Sequence, residues 1–297
     1  MASADDEALE WLVRLNDTRL DEATERDFAQ WLAQPGHAEE WRRAEAFWRR
    51  LQPATTEIRR RRHITRRAAL ATGAAALLLP GGFWLSRPGR FAEHRTAAGE
   101  TRRLLLADGS RVDLAAGSAL STAFDPMQRA LTLHVGEAFF LVAADPARPF
   151  VVTAGHSQVT ALGTAFNIRL TTRGADVTVT EHAVLARSGS GEARVFAGQR
   201  LSYDAVGLHG TEPADAESAT AWLRGVLVFE AAPLGEVMDV LARNAGWRVM
   251  ISEAARRVPV TAIFNLAQLD QAPEILARTL PVRVTRAPGG IVILHAS

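Results

Sequence analysis

Residues 59–85 constrain this chain more than any other stretch, because a run of arginines leads directly into an apolar segment. Residues 68–85 carry no charge, and as a helix they would extend about 27 Å, enough to cross the hydrocarbon layer of a bilayer. Leu70, residues 77–79 and residues 83–85 supply the apolar weight; the rest is rich in Ala and Gly. A buried helix of a soluble domain would be broken by Pro80, Gly81 and Gly82, and few core helices follow so dense a basic run. The segment therefore predicts a single membrane crossing.

Arginine distribution sets the expected orientation. Arg59, Arg60, Arg61, Arg62, Arg66 and Arg67 precede the segment, against Arg87, Arg90 and Arg95 after it, so the N-terminal part is expected in the cytoplasm and the C-terminal part outside it. Residues 65–70 also look like a twin-arginine export signal, but no crisp small-x-small cleavage site follows at once, which favours a retained anchor. The net charge of +1 hides a basic excess between Arg42 and Arg67. That local cluster suits an anionic membrane surface and argues against direct nucleic-acid binding. The absence of cysteine removes disulfides, thiolate metal sites and cysteine nucleophiles together.

The pattern on either side of the segment differs in period. Residues 1–52 read as three short amphipathic helices: one capped by Ser3 with Leu9, Trp11, Leu12 and Leu15, one capped by Asp21 with Phe28, Trp31 and Leu32, and a third with Trp41, Ala44, Phe47, Trp48 and Leu51. Four tryptophans in so small a unit either fill its core or remain partly exposed as anchors for a protein partner. Residues 53–67 and 86–98 read as linkers. From 99 to 208 the period is two, with Val112/Leu114, Leu131/Leu133/Val135, Val159/Ala161 and Val177/Val179 alternating with polar neighbours. Turn signals recur at Asp108-Gly109, Asp125-Pro126, Asp145-Pro146, Gly174 and residues 188–191. An all-β unit follows from this, as an antiparallel sandwich, a barrel or a β-helix-like stack.

Residues 219–297 contain an internal repeat offset by about 35 residues, in which Phe229, Leu234, Leu241, Ala242 and Arg243 recur as Phe264, Leu269, Leu276, Ala277 and Arg278. Each copy reads as strand, helix, strand, with Asp270 as the expected cap of the second helix, giving an α+β domain of two βαβ units. The expected architecture is thus multi-domain: a three-helix bundle, one transmembrane helix, an all-β domain and a C-terminal α+β domain.

No catalytic constellation, cofactor loop or metal-ligand spacing emerges, and His134, His156 and His182 read as scattered strand or surface histidines. One dipeptide has distinct chemistry. In Gly163-Thr164 the hydroxyl can attack the preceding carbonyl carbon if the turn is strained, and glycine on the acyl side permits such a geometry. The plainer reading is a strand bulged at Gly163.

Taken together, the motifs resemble the FecR family of membrane-spanning anti-sigma regulators along nearly the whole chain. The N-terminal motifs are residues 10–15 (EWLVRL), 28–32 (FAQWL) and 35–41 (PGHAEEW). The β-region motifs are residues 106–112 (LADGSRV), 136–140 (GEAFF), 149–152 (PFVV), 161–166 (ALGTAF) and 197–199 (AGQ). Residues 222–294 resemble the small module at the N-termini of secretins and TonB-dependent transducers. The resemblance implies an inner-membrane protein whose periplasmic half senses the signalling domain of a ligand-loaded TonB-dependent outer-membrane receptor. Its cytoplasmic bundle would hold an extracytoplasmic-function sigma factor through Trp11, Leu12, Leu15, Phe28, Trp31, Trp41 and Trp48. Release by stepwise proteolysis is implied, as is self-cleavage at Gly163-Thr164, and iron or siderophore uptake is the kind of process such proteins regulate. The competing expectation is an envelope assembly protein that uses the C-terminal module to bind a secretin-like or receptor partner.

Overall fold

The computed structural model describes residues 4–17, 22–51, 89 and 91–296. The expected crossing at 68–85, the linker at 53–67 and the caps at Ser3 and Asp21 lie outside these residues. No helix among the described residues is long and apolar enough to cross a membrane.

Three helices form as expected: α1 (Ala4–Asp17), α2 (Glu22–Leu32) and α3 (His37–Leu51). Acidic residues open α1 at Asp5, Asp6 and Glu7, where they suit the positive end of the helix.

The β unit is a sandwich of two seven-stranded sheets. In chain order its strands are β1 (His94–Arg95), β2 (Arg102–Leu105), β3 (Arg111–Leu114), β4 (Ala119–Phe124), β5 (Arg129–Val135), β6 (Glu137–Leu141) and β7 (Phe150–Ala154). The second half comprises β8 (Ser157–Ala161), β9 (Ala165–Leu170), β10 (Gly174–Glu181), β11 (Ala183–Ser188), β12 (Gly191–Phe196), β13 (Gln199–Asp204) and β14 (Leu208–Pro213). One sheet runs β1-β4-β5-β7-β8-β11-β12 and the other β14-β13-β10-β9-β6-β3-β2. The alternating residues of both sheets meet in a core around Phe140, whose ring centroid lies 6.1 Å from that of Phe150 and 5.0 Å from that of Phe166. Each such ring contributes about 1.5–3 kcal/mol by leaving water.

Several expectations need correcting. The linker at 86–98 ends in β1, and the sandwich extends past 208 to Pro213. The sheets are not wholly antiparallel: β6 belongs to the opposite sheet, so β5 and β7 meet as a parallel pair. Gly174 closes the β9–β10 turn, bonded to Thr171 through both its carbonyl and its N–H, and is also the first residue of β10, where a Cβ would fall 1.8 Å from the Tyr203 carbonyl oxygen.

The C-terminal domain opens with the short helix α4 (Ala216–Ala219) and a 3-10 turn at Ala221–Arg224, whose Trp222 joins its core. It comprises β15 (Val226–Pro233), α5 (Leu234–Ala245), β16 (Arg248–Ile251), α6 (Glu253–Arg256), β17 (Pro259–Asn265), α7 (Ala272–Thr279), β18 (Val282–Ala287) and β19 (Ile291–Ala296). The repeated residues form the core: Phe229 meets Phe264 at 6.2 Å, and Leu234, Leu241, Leu269 and Leu276 are all buried. The two units do not form separate βαβ layers. Instead their first strands, β15 and β17, pair with each other, while β16 and β18 flank β19. Asp270 does not cap the second helix; Asn265 caps the preceding 3-10 turn by accepting from Ala267 N.

β19 is buried on both faces. Val292 and Leu294 enter the core of the C-terminal domain, whereas Ile291 and Ile293, with Met250 of β16, join a cluster containing Ala8, Leu9, Trp11, Leu12, Trp31 and Ala44. The three-helix unit is thus seated on the C-terminal sheet, and Asp6 accepts from Ala296 N at 2.9 Å while Asp5 accepts from Glu253 N at 2.9 Å.

Candidate functional site

Gly163 and Thr164 lie where the chain crosses from β8 in one sheet to β9 in the other, not in a bulged strand. Gly163 has φ +147°, and a Cβ there would lie 3.0 Å from Ala144 Cα, so only glycine fits. Thr164 is buried, and its hydroxyl has no hydrogen-bond partner. Residues 142–145 run alongside: Val142 N donates to Thr164 O at 2.9 Å and Asp145 N donates to Leu162 O at 3.3 Å. The carbonyls on either side of the Gly163-Thr164 pair are thereby pinned to one neighbouring segment. With no base bonded to the hydroxyl, reactivity here depends on backbone geometry.

The helical unit gathers the aromatic residues singled out from the sequence. Trp11 lies 5.4 Å from Phe28 and 6.3 Å from Trp31, and Phe28 lies 4.8 Å from Trp41. The Trp31 indole also donates to Glu7 at 2.5 Å. Trp11, Leu12 and Trp31 are buried, and Leu15, Phe28 and Trp41 are partly buried. Trp48 lies on α3, with its side chain outside the described residues. Trp11 and Trp31 thus belong to the core of this unit, Phe28 and Trp41 pack against it with part of their surface exposed, and Arg26, Asp27, Gln30, Arg42 and Arg43 are exposed beside them.

A third constellation escaped sequence reading. Where the outer face of the second sheet meets the C-terminal domain, the Trp222 indole donates to Asn167 Oδ1 at 3.3 Å, and Asn167 Nδ2 donates to Glu137 at 2.8 Å. A cleft of about 180 Å³ lies beside them, also lined by Arg169, Asp176 and Arg200. Burial holds the Glu137 carboxyl above its ordinary value, against the opposing pull of Arg169 and Asn167. The one sequence signal was the motif at 136–140, whose glutamate interrupts an otherwise apolar run.

His134 and His156 line a second cleft with Arg169, Arg173, Glu236 and Arg243, and His134 is bonded to Ser121 at 2.9 Å. His182 occupies the tight β10–β11 connection at φ +59°. Among the described residues no three His, Asp or Glu side chains gather as a metal site.

Residues 92–185 match the family model described as FecR protein. The chain carries a FecR domain. Its matched stretch ends in β11, so β12–β14 complete the sandwich beyond the part that the family model covers. Residues 6–47, all within the helical unit, match a domain of unknown function, DUF4880. Among solved structures, two crystal structures of a candidate anti-sigma factor from Parabacteroides distasonis ATCC 8503, at 1.65 and 2.50 Å, are similar to this chain. They give TM-scores of 0.63 and 0.62 at 22% and 23% identity, covering 69% of this chain and 98% of theirs. At that identity the likeness shows a shared fold. No curated protein matches the chain.

Proposed function

We propose that this protein is a membrane-crossing anti-sigma regulator. The observation that carries the reading is the order of parts: a helical unit matching DUF4880, then a basic run and an apolar segment, then a FecR domain. In this reading residues 68–85 span the inner membrane, the helical unit holds an extracytoplasmic-function sigma factor in the cytoplasm, and the FecR and C-terminal domains sense a TonB-dependent receptor in the periplasm.

The crossing and the seating of α1 on β19 exclude each other within one inserted chain, because the bilayer would separate them. The seated arrangement then belongs to the chain outside a membrane. Protease accessibility in intact spheroplasts tests the crossing: the C-terminal epitope is expected to be cut and the N-terminal epitope protected. Equal protection of both would overturn it. Full-length protein extracted from membranes is expected to bring down a sigma factor, and its absence would remove the anti-sigma assignment.

Self-cleavage at Gly163-Thr164 belongs to the same proposal, supported by the unpartnered Thr164 hydroxyl and the Gly163 backbone angle. Thr164 Oγ1 bonds to the Gly163 carbonyl carbon, the C–N bond breaks, and the hydroxyl proton passes to the departing amine. Water then hydrolyses the ester, leaving a Gly163 carboxyl and a free Thr164 amine and hydroxyl. The parent is expected to give two fragments on a denaturing gel and Thr164→Ala a single full-length band.

A further inference from the structure

We infer that Arg129, Asp108 and Ser110 are positioning residues for cleavage at Gly163-Thr164, an inference that rests on the self-cleavage reading. The Arg129 side chain is completely buried, and the loop between β6 and β7 is wrapped around it. Its Nη1 donates to Asp108 at 2.7 Å and to the Ala143 carbonyl at 2.9 Å; its Nε donates to the Arg148 carbonyl at 2.9 Å; its backbone N–H donates to the Pro149 carbonyl at 2.9 Å. Ser110 completes the bracket, donating from its hydroxyl to Asp108 at 2.6 Å and accepting from Ala143 N at 3.0 Å.

The opposite side of this loop touches the reacting turn. Val142 N and Asp145 N bond the carbonyls of Thr164 and Leu162, and Ala144 occupies the space where a side chain on residue 163 would sit. The sequence of contacts is therefore continuous: Asp108 holds Arg129 and Ser110, these two bond the carbonyl and the N–H of Ala143, and the neighbouring Val142 and Asp145 bond the backbone on either side of Gly163. Asp108 is suited to this task. Burial raises its pKa, but the Ser110 hydroxyl and the Arg129 guanidinium outweigh that and keep it lowered overall, so the bracket stays charged.

Such a device sets a rate, because an intramolecular attack is sensitive to sub-ångström placement of its partners. A role limited to stability would lower the melting temperature in proportion to any loss of cleavage. Two mild variants separate these outcomes without discarding the buried charge pair: Ser110→Ala removes the bond from Ala143 N and the one to Asp108, and Ala144→Gly softens the wedge against Gly163.

The experiment follows fragment appearance after refolding of the full-length chain in detergent, with Thr164→Ala as the uncleaved control and melting temperatures measured on uncleaved Thr164→Ala backgrounds. Ser110→Ala and Ala144→Gly are expected to slow the first-order rate about tenfold or more, with melting temperatures close to the control. Cleavage at the parental rate in both variants would overturn the positioning role while leaving self-cleavage intact. A loss of rate that tracks a loss of melting temperature would overturn it too. An uncut parent, or fragments that persist in Thr164→Ala, would overturn the self-cleavage reading and this inference with it.

Discussion

The C-terminal domain makes two contacts of opposite character. Toward the FecR domain it presents Trp222 to a hydrogen-bonded chain through Asn167 to a buried Glu137, with Arg169 and Asp176 at the edge. Toward the helical unit it presents Ile291, Ile293 and Met250, fastened at the margin by Asp5 and Asp6. A buried polar chain is costly unless every partner is in register, so the first contact specifies one orientation. An apolar face is tolerant, so the second accepts a suitable amphipathic helix and releases it as readily. The difference agrees with a protein in which the FecR and C-terminal domains move as a unit while the helical unit is detachable.

Four substitutions probe the two contacts, in decreasing order of effect. Trp222→Ala removes a buried ring and leaves Asn167 without its donor, an expected loss of about 3–5 kcal/mol in chemical unfolding. Small-angle scattering should then show the FecR and C-terminal domains separating, and an unchanged envelope would mean the joint is held by the apolar surround instead. Leu12→Ala is expected to cost roughly 2–3 kcal/mol and to expose β19 amides to hydrogen exchange, with the FecR domain unaffected.

Glu137→Gln acts in the opposite direction. Because burial raises the folded-state pKa of Glu137, its stabilising protonated form is fully present below the ordinary value of 4.5 and is lost as pH rises through the raised value. The parent should therefore lose stability across that window, and Glu137→Gln should flatten the dependence and melt higher at neutral pH. Arg43→Ala, which removes exposed bonds to Glu39 and Glu40, should change stability by less than about 0.5 kcal/mol and serves as the baseline for the helical unit.

Much of the fold was legible because it is local. The repeat pairs Leu234/Leu269 and Leu241/Leu276 signalled core positions through helical spacing, and Asp108-Gly109 and Asp125-Pro126 marked turns through their own backbone chemistry. What escaped was set by long-range pairing. The parallel β5–β7 ladder depends on β6 departing to the other sheet, which no residue in β5 or β7 announces. Arg129 and Asp108 stand 21 residues apart, and nothing in either neighbourhood indicates that they share one buried site. The tryptophans of the helical unit illustrate a different limit: composition fixed that they would be structurally weighty, but only packing showed that Trp11 and Trp31 face inward.

The place of Gly163-Thr164 in the strand order has a mechanical consequence. A break there would leave β1–β8 on one fragment and β9–β14 on the other, so each sheet would contain strands from both. The fragments would remain joined by two antiparallel ladders, β6 with β9 and β8 with β11. A severed molecule of this design keeps its shape at rest yet has exchanged a covalent tether for a zipper, which a sustained tug on the C-terminal domain can open.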